Sequence, residues 1–161
     1  MHIKRRTGAV FSAILSLCAF FSAGASENFL LAAASSLCGT YTVSVSNDMP
    51  MGKNNISDLA VLEAWGGNYY LSLAFNTAKL SDIRLEIGGK TAGRQILGKN
   101  GDMATYCYTL SEESIAAPLP FVADVLPMGQ SGLNREINVT VDLSSAEKTC
   151  DTIENRGEGP T

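Results

Sequence analysis

Short runs in which apolar and polar residues alternate make up most of this chain. In one of them Ile83, Leu85 and Ile87 alternate with Arg84 and Glu86. Because successive side chains of a strand point to opposite faces, this period of two predicts strands with one buried face. The pattern predicts eight short strands, at residues 41–46, 59–64, 69–75, 83–87, 92–97, 103–110, 119–126 and 137–143.

Glycine-containing segments such as Gly66-Gly67 and Gly88-Gly89 separate these runs. Glycine accepts the positive φ angles that tight hairpins require. Many short strands at regular spacing predict an all-β fold, here an immunoglobulin-like antiparallel β-sandwich of about eight strands. Ser111 followed by Glu112 and Glu113 adds one short helical turn, because a serine cap and early acidic residues suit the positive end of a helix dipole.

The first 25 residues have the pattern of a signal peptide. A cationic start precedes an apolar run at residues 9–21, and Ala23-Gly24-Ala25 offers small residues for cleavage. We expect a secreted or cell-surface protein with no other membrane contact. An uncleaved anchor is the alternative, since residues 9–25 just reach the length of a short membrane-spanning helix, about 17 residues. The predicted division is a signal peptide (1–25), a linker (26–37), a sandwich domain (38–150) and a polar, disordered tail (151–161).

Cleavage would remove the only histidine, His2, and three of the 12 basic residues, against 16 acidic residues in the whole chain. The mature net charge of about −7 and the absence of a basic stripe argue against nucleic acid or an anionic membrane as partners. Without an imidazole, a Ser-His-Asp or Cys-His catalytic group and a His-ligated metal are excluded. We therefore expect a binding protein and not an enzyme.

Cys38 precedes the first predicted strand and Cys150 follows the last one. An exported protein can form disulfides, so we predict a Cys38–Cys150 bridge that ties the two ends of the domain together. In the chain-entropy model such a long loop is worth up to roughly 4 to 5 kcal/mol. Other pairings stay open, and Cys107 is interpreted as a small buried hydrophobe.

Several segments, taken in order, resemble one known family. They are Gly39-Thr40-Tyr41-Thr42-Val43, Met51-Gly52 with Asn54-Asn55-Ile56, Ala60-Val61-Leu62, Gly67-Asn68-Tyr69-Tyr70-Leu71 and the stretch from Phe121 to Met128. Together they look like the near iron transporter, or NEAT, domain over about residues 39–143. That family is an immunoglobulin-like sandwich exported by Gram-positive bacteria, and many members bind haem or a haemoprotein. The resemblance implies iron acquisition, with haem, haemoproteins and possible surface haem-transfer proteins as partners.

The family's haem site lies between a lip after the first strand and the last hairpin, where a Tyr-x-x-x-Tyr pattern supplies the iron ligand. On this sequence the lip is residues 46–57 and the hairpin is residues 127–141. Leu133 and Ile137 take the two tyrosine positions, and no tyrosine follows Tyr108. The resemblance therefore implies an apolar cleft without a phenolate ligand, lined by Met49, Met51, Asn54, Met128, Leu133 and Ile137.

Methionine offers another iron ligand in this cleft. A thioether is a soft neutral ligand known for haem, so Met51 and Met128 are the candidate metal ligands. Alternatively, these methionines pack the lip against the hairpin. The chain would then be a NEAT-like module that has lost haem ligation and acts as a protein-interaction or adhesin-like envelope domain.

Two other features carry weaker chemistry. Asp48, Asp58 and Asp102 flank loops without the spacing of a calcium loop, so they are interpreted as solvated carboxylates. Trp65, beside the Gly66-Gly67 turn, is interpreted as a plug over the edge of the sandwich, with an exposed contact anchor as the alternative.

Overall fold

A computed structural model of the 161-residue chain describes residue 34 and residues 37–49, 54–126 and 133–151. This part of the chain contains nine strands and one short helix. They are β1 (Gly39–Asn47), β2 (Leu59–Trp65), β3 (Asn68–Asn76), β4 (Leu80–Ile87), β5 (Lys90–Thr91), β6 (Arg94–Asn100), β7 (Met103–Ser111), α1 (Glu112–Ile115), β8 (Leu119–Val125) and β9 (Leu133–Cys150).

Each of the eight predicted runs forms a strand. The two-residue β5 was not predicted, and β9 extends beyond its predicted bounds in both directions. Its last residues, Ser144–Cys150, lack apolar alternation, and they are extended because they pair with β1. Pairing with a neighbouring strand can therefore extend a strand where the hydrophobic pattern has stopped.

The strands form one hydrogen-bonded antiparallel sheet in the order β5-β4-β8-β9-β1-β2-β3-β7-β6. This sheet folds over on itself. As a result, the Phe121 ring of β8 contacts Phe75 of β3 and Tyr108 of β7, each at a centroid distance of 5.2 Å. Two facing layers with a shared apolar core are the arrangement of a β-sandwich. The prediction of an all-β, immunoglobulin-like sandwich is confirmed.

Alternation along each strand builds this core. On β3 the inward residues Tyr69, Leu71, Leu73 and Phe75 are buried at every second position. Gly66 and Gly67 connect β2 to β3 with φ angles of 58° and 80°, as a tight hairpin requires. At the end of β7 the Ser111 hydroxyl accepts a hydrogen bond from the Ser114 N–H, which confirms the predicted cap.

The predicted Cys38–Cys150 disulfide is not present. Cys38 and Cys150 are exposed thiols, although β1 pairs with β9 as far as Cys150. The Tyr41 hydroxyl accepts a hydrogen bond from the Cys38 N–H (3.0 Å) and donates to the Cys38 carbonyl (2.9 Å). Cys38 lies one residue before β1 and is not among the residues that pair with β9. Cys107 is buried as predicted, and burial raises the pKa of its thiol.

Two residues of the predicted linker pack against the domain. Ala34 is buried and its carbonyl accepts a hydrogen bond of 2.7 Å from the Tyr69 hydroxyl, while Leu37 packs partly buried against the core. The predicted signal peptide and the tail after Asp151 lie outside the described residues. Within the described ranges, no helix has the length and apolar character needed to cross a membrane.

Phe121→Ala tests the packing of the two layers. The side chain is fully buried and touches aromatic rings of the opposite layer, so its truncation should cost about 3 to 5 kcal/mol of unfolding free energy. Chemical denaturation measures this loss. Ile96→Ala is the control, because Ile96 is 65% exposed and should change stability by less than about 0.5 kcal/mol. An equal effect of both substitutions would contradict the described core.

Candidate ligand cleft

The strands β1 and β9 separate at one point and form a fork there. Within the described residues, β9 pairs with β8 from Leu133 to Val139 and with β1 from Val139 onward. The last paired residue of β1 is Asn47, opposite Val139. Beyond this pair, the chain of β1 enters the lip and β9 leads back to the β8–β9 hairpin. The fork is therefore the base of the predicted cleft.

Asp48 and Asn138 close the fork with three hydrogen bonds. The Asn138 N–H donates to Asp48 Oδ1 and the Asn138 side-chain amide donates to Asp48 Oδ2, both at 2.9 Å. The Asp48 N–H donates to the Asn138 carbonyl at 3.2 Å. The side-chain bond and then the backbone bond from Asn138 hold the pKa of the Asp48 carboxyl below its usual range, because both stabilise the charged form.

The far end of the lip is held on β3. The Ser57 N–H donates to the Ala74 carbonyl (2.9 Å), and the Asn76 N–H donates to the Asn55 carbonyl (2.8 Å). Between these bonds, Ile56 forms a backbone β-bridge with Phe75, and its side chain is buried in the core. Both ends of the lip are therefore attached to the sandwich, one end to β9 and the other to β3.

Met49 lies directly beyond the fork. Its N–H donates to Asn47 Oδ1 (3.1 Å), and its sulfur accepts a hydrogen bond from Asn55 Nδ2 (3.7 Å). The side chain is partly buried and packs against the edge of the core. Of the three methionines predicted for the cleft, Met49 is the one that the structure describes.

Of the other predicted cleft residues, the structure describes Asn54, Leu133 and Ile137. Met51 and Met128 lie outside the described residues, and Asn54 is exposed at the turn before Ile56. Leu133 begins β9 opposite Val125. Ile137 is only 2% exposed and lies opposite Phe121, so in the described structure its side chain faces the core. The period of two along β9 explains this, since it directs Ile137 inward together with Val139 and Val141.

The tyrosines lie away from the fork. Tyr41, Tyr69, Tyr106 and Tyr108 are buried on the inner faces, and Tyr70 lies half-buried on the outer face of β3. Burial raises the pKa of Tyr108 far above its ordinary value. The chain therefore offers no phenolate at the fork.

Sequence reasoning missed Asp48 and Asn138 as partners. Asp48 was interpreted as a solvated carboxylate, and no local pattern connects it with a residue 90 positions later. In the described ranges no group of three or more acidic, cysteine or histidine residues is placed to hold a metal ion. The interpretation of Trp65 as a plug is also wrong, because its side chain is 49% exposed.

The two facing layers define an immunoglobulin-like β-sandwich fold. Among solved structures, the chain has the fold of NEAT domains. It is similar to the NEAT5 domain of IsdX2, a hemophore of B. anthracis, in complex with heme, and to a single-residue mutant of that domain, also with heme. Each comparison has a TM-score of 0.57 and 13% sequence identity, and covers 67% of this chain and 98% of the other. No protein-family model and no curated protein matches the sequence.

The pH dependence of stability tests the bonds of Asp48. Because the pKa of Asp48 is lowered in the folded state, its charge stabilises the fold above the unfolded-state pKa of about 3.9. This stabilisation is lost as the pH falls through the lower folded-state pKa. Wild type should therefore be more stable than Asp48→Asn at pH 6, and the difference should shrink below pH 4. Urea denaturation at several pH values measures it, and a difference that does not vary with pH would contradict this account.

Proposed function

We propose that this chain is an exported or cell-surface module that binds haem, free or within a haemoprotein, for iron acquisition. The binding region is the cleft between the lip and the last hairpin, above the Asp48–Asn138 fork. The observation that supports this most is the fold, which is shared with a NEAT domain in complex with heme. We further propose that the module carries its ligand without chemical turnover.

The iron ligand in this proposal is sulfur. The chain has no histidine beyond His2 and no tyrosine beyond Tyr108, so neither usual ligand is available from the lip or from β9. A methionine thioether can bind haem iron. Met49 lies at the fork and is proposed to contact haem without binding the iron, since its sulfur already accepts a hydrogen bond from Asn55. Met51 and Met128 remain predicted ligands. A neutral sulfur ligand and apolar walls suit a protein that carries haem. Tight binding of ferric haem would instead call for a phenolate ligand.

Export follows from the cationic and apolar leader, and the partners outside the cell would be haem, haemoproteins and surface proteins that pass haem onward. The acidic mature chain is not proposed to bind nucleic acid. In an oxidising compartment outside the cell, Cys38 and Cys150 are proposed to form a disulfide.

A second candidate function is protein interaction without haem. Leu59, Val61 and Trp65 are 57%, 38% and 49% exposed on the outer face of β2, which lies between β1 and β3 and not at an edge. Exposed apolar side chains on a middle strand favour a protein contact. Protein interaction becomes the favoured function if the protein does not bind haem.

A visible absorbance titration of residues 26–161 with ferric and then ferrous haem tests the first function. A saturable Soret shift at one equivalent is the expected result. A haem absorbance that rises linearly without a Soret shift, in both redox states, would contradict haem carriage. A pull-down with haemoproteins and envelope components would then test the second candidate.

Met51→Ala combined with Met128→Ala tests sulfur ligation. Loss of the ligand should abolish the change in haem absorbance while the far-ultraviolet circular dichroism stays that of a β protein. The matched control is Met103→Ala, since Met103 begins β7 and lies outside the lip and the hairpin. Haem binding that persists in the double variant would show that these two sulfurs are not the ligands.

A further inference from the structure

We propose that Asp48 and Asn138 are positioning residues, which hold the start of the lip on β9 and so place the Met49 side chain at the mouth of the fork. This inference rests on the proposed function in one respect: bound haem is taken to touch Met49. The hydrogen bonds that carry the inference do not depend on any ligand.

The carboxylate of Asp48 takes over a bond that the main chain would otherwise make. Asp48 lies opposite Asn138, one step beyond the Asn47–Val139 pair. In a regular hydrogen-bonded antiparallel pair, two opposite residues exchange both N–H···O bonds. Here the Asp48 N–H still donates to the Asn138 carbonyl, but the Asn138 N–H donates to the Asp48 side chain. The chain can therefore leave the sheet at Asp48 while it remains attached to β9.

The other neighbour of β9 does not compete for these groups. Asn138 lies opposite Pro120 of β8, and proline has no N–H to donate. The backbone N–H and carbonyl of Asn138 both bond to Asp48 on the β1 side. Proline is tolerated at this position because its strand partner directs its own hydrogen-bonding groups the other way.

The three hydrogen bonds between Asp48 and Asn138, here called the clamp, act on the next residue of the chain. Met49 follows Asp48, its N–H is held by Asn47, and its sulfur is held by Asn55. Asn55 is in turn held by Asn76 of β3. The sulfur is thus located between two attachments, one to each strand bordering the lip. Loss of the attachment to β9 leaves Met49 held by Asn47 and Asn55 alone.

The clamp is exposed to solvent. Its loss should therefore affect the position of the lip more than the stability of the whole fold. Exposed hydrogen bonds contribute little to global stability, so removal of the clamp should act mainly on the lip. Its effect should appear in local opening near Met49 and in the rate at which a ligand leaves, and much less in the unfolding of the core.

The test compares Asp48→Ala and Asn138→Asp with the exchanged pair Asp48→Asn plus Asn138→Asp. In Asn138→Asp two carboxylates face each other and repel, whereas the exchanged pair restores an amide-to-carboxylate bond in the opposite direction. Asp102→Asn is the matched control, because Asp102 is an exposed acid in the β6–β7 turn. The two measurements are amide hydrogen exchange at Met49 and Asn138 in the ligand-free protein, and haem dissociation into excess apomyoglobin.

Both single variants should raise amide exchange at Met49 and Asn138, and haem dissociation, about three- to tenfold, as expected for the loss of one or two exposed hydrogen bonds. The exchanged pair and the control should behave like wild type. Unchanged amide exchange in both single variants would overturn the clamp. Faster amide exchange together with unchanged haem dissociation would overturn the role of the clamp in positioning Met49 for haem. If wild type binds no haem, the proposed function fails, and amide exchange alone decides whether the clamp holds Met49.

Discussion

The pairing of β1 with β9 is the constraint on which the rest of this structure depends. β9 is the strand through which the layer of β4 and β8 continues into the layer of β2, β3 and β7. The 18-residue strand pairs with β8 near its start and with β1 over the remainder, where the β1–β9 pairing has two register shifts. The facing apolar sides then close over Phe75, Tyr108 and Phe121. Without this continuity the two layers would be held together by the core alone.

The same pairing creates the candidate site, because the place where it ends is the fork. A strand that leaves a sheet exposes backbone donors and acceptors, and these need partners. Asp48 supplies its carboxylate to Asn138, and Asn55 and Ser57 take partners on β3. The lip is therefore attached on both sides by polar groups while its apolar residue Ile56 enters the core. The need to satisfy the backbone therefore fixes both ends of the lip on neighbouring strands.

The placement of the tyrosines leaves no phenolate at the fork. All five tyrosines lie on β1, β3 and β7, where four of them fill the core. On β9, Ile137 takes a position that the resemblance assigns to a ligand tyrosine, and its side chain is buried in the core. A tyrosine there would disturb the packing of the core. At the fork, the described part of the lip places the thioether of Met49, whose sulfur accepts a hydrogen bond from Asn55 Nδ2.

The sequence by itself determined the strands, the hairpins and the cap of α1, because these features depend on local alternation, on glycine and on one serine. It also excluded imidazole and phenolate at the cleft, since the relevant residues are absent from those segments. Only the tertiary structure decided how far β9 extends, because residues 144–150 form a strand through their partner and not through their own pattern. It also decided that Cys38 and Cys150 are exposed and not joined in a disulfide, and that Asp48 meets Asn138 across 90 residues. Such contacts join residues that are distant in sequence, and no local pattern encodes them.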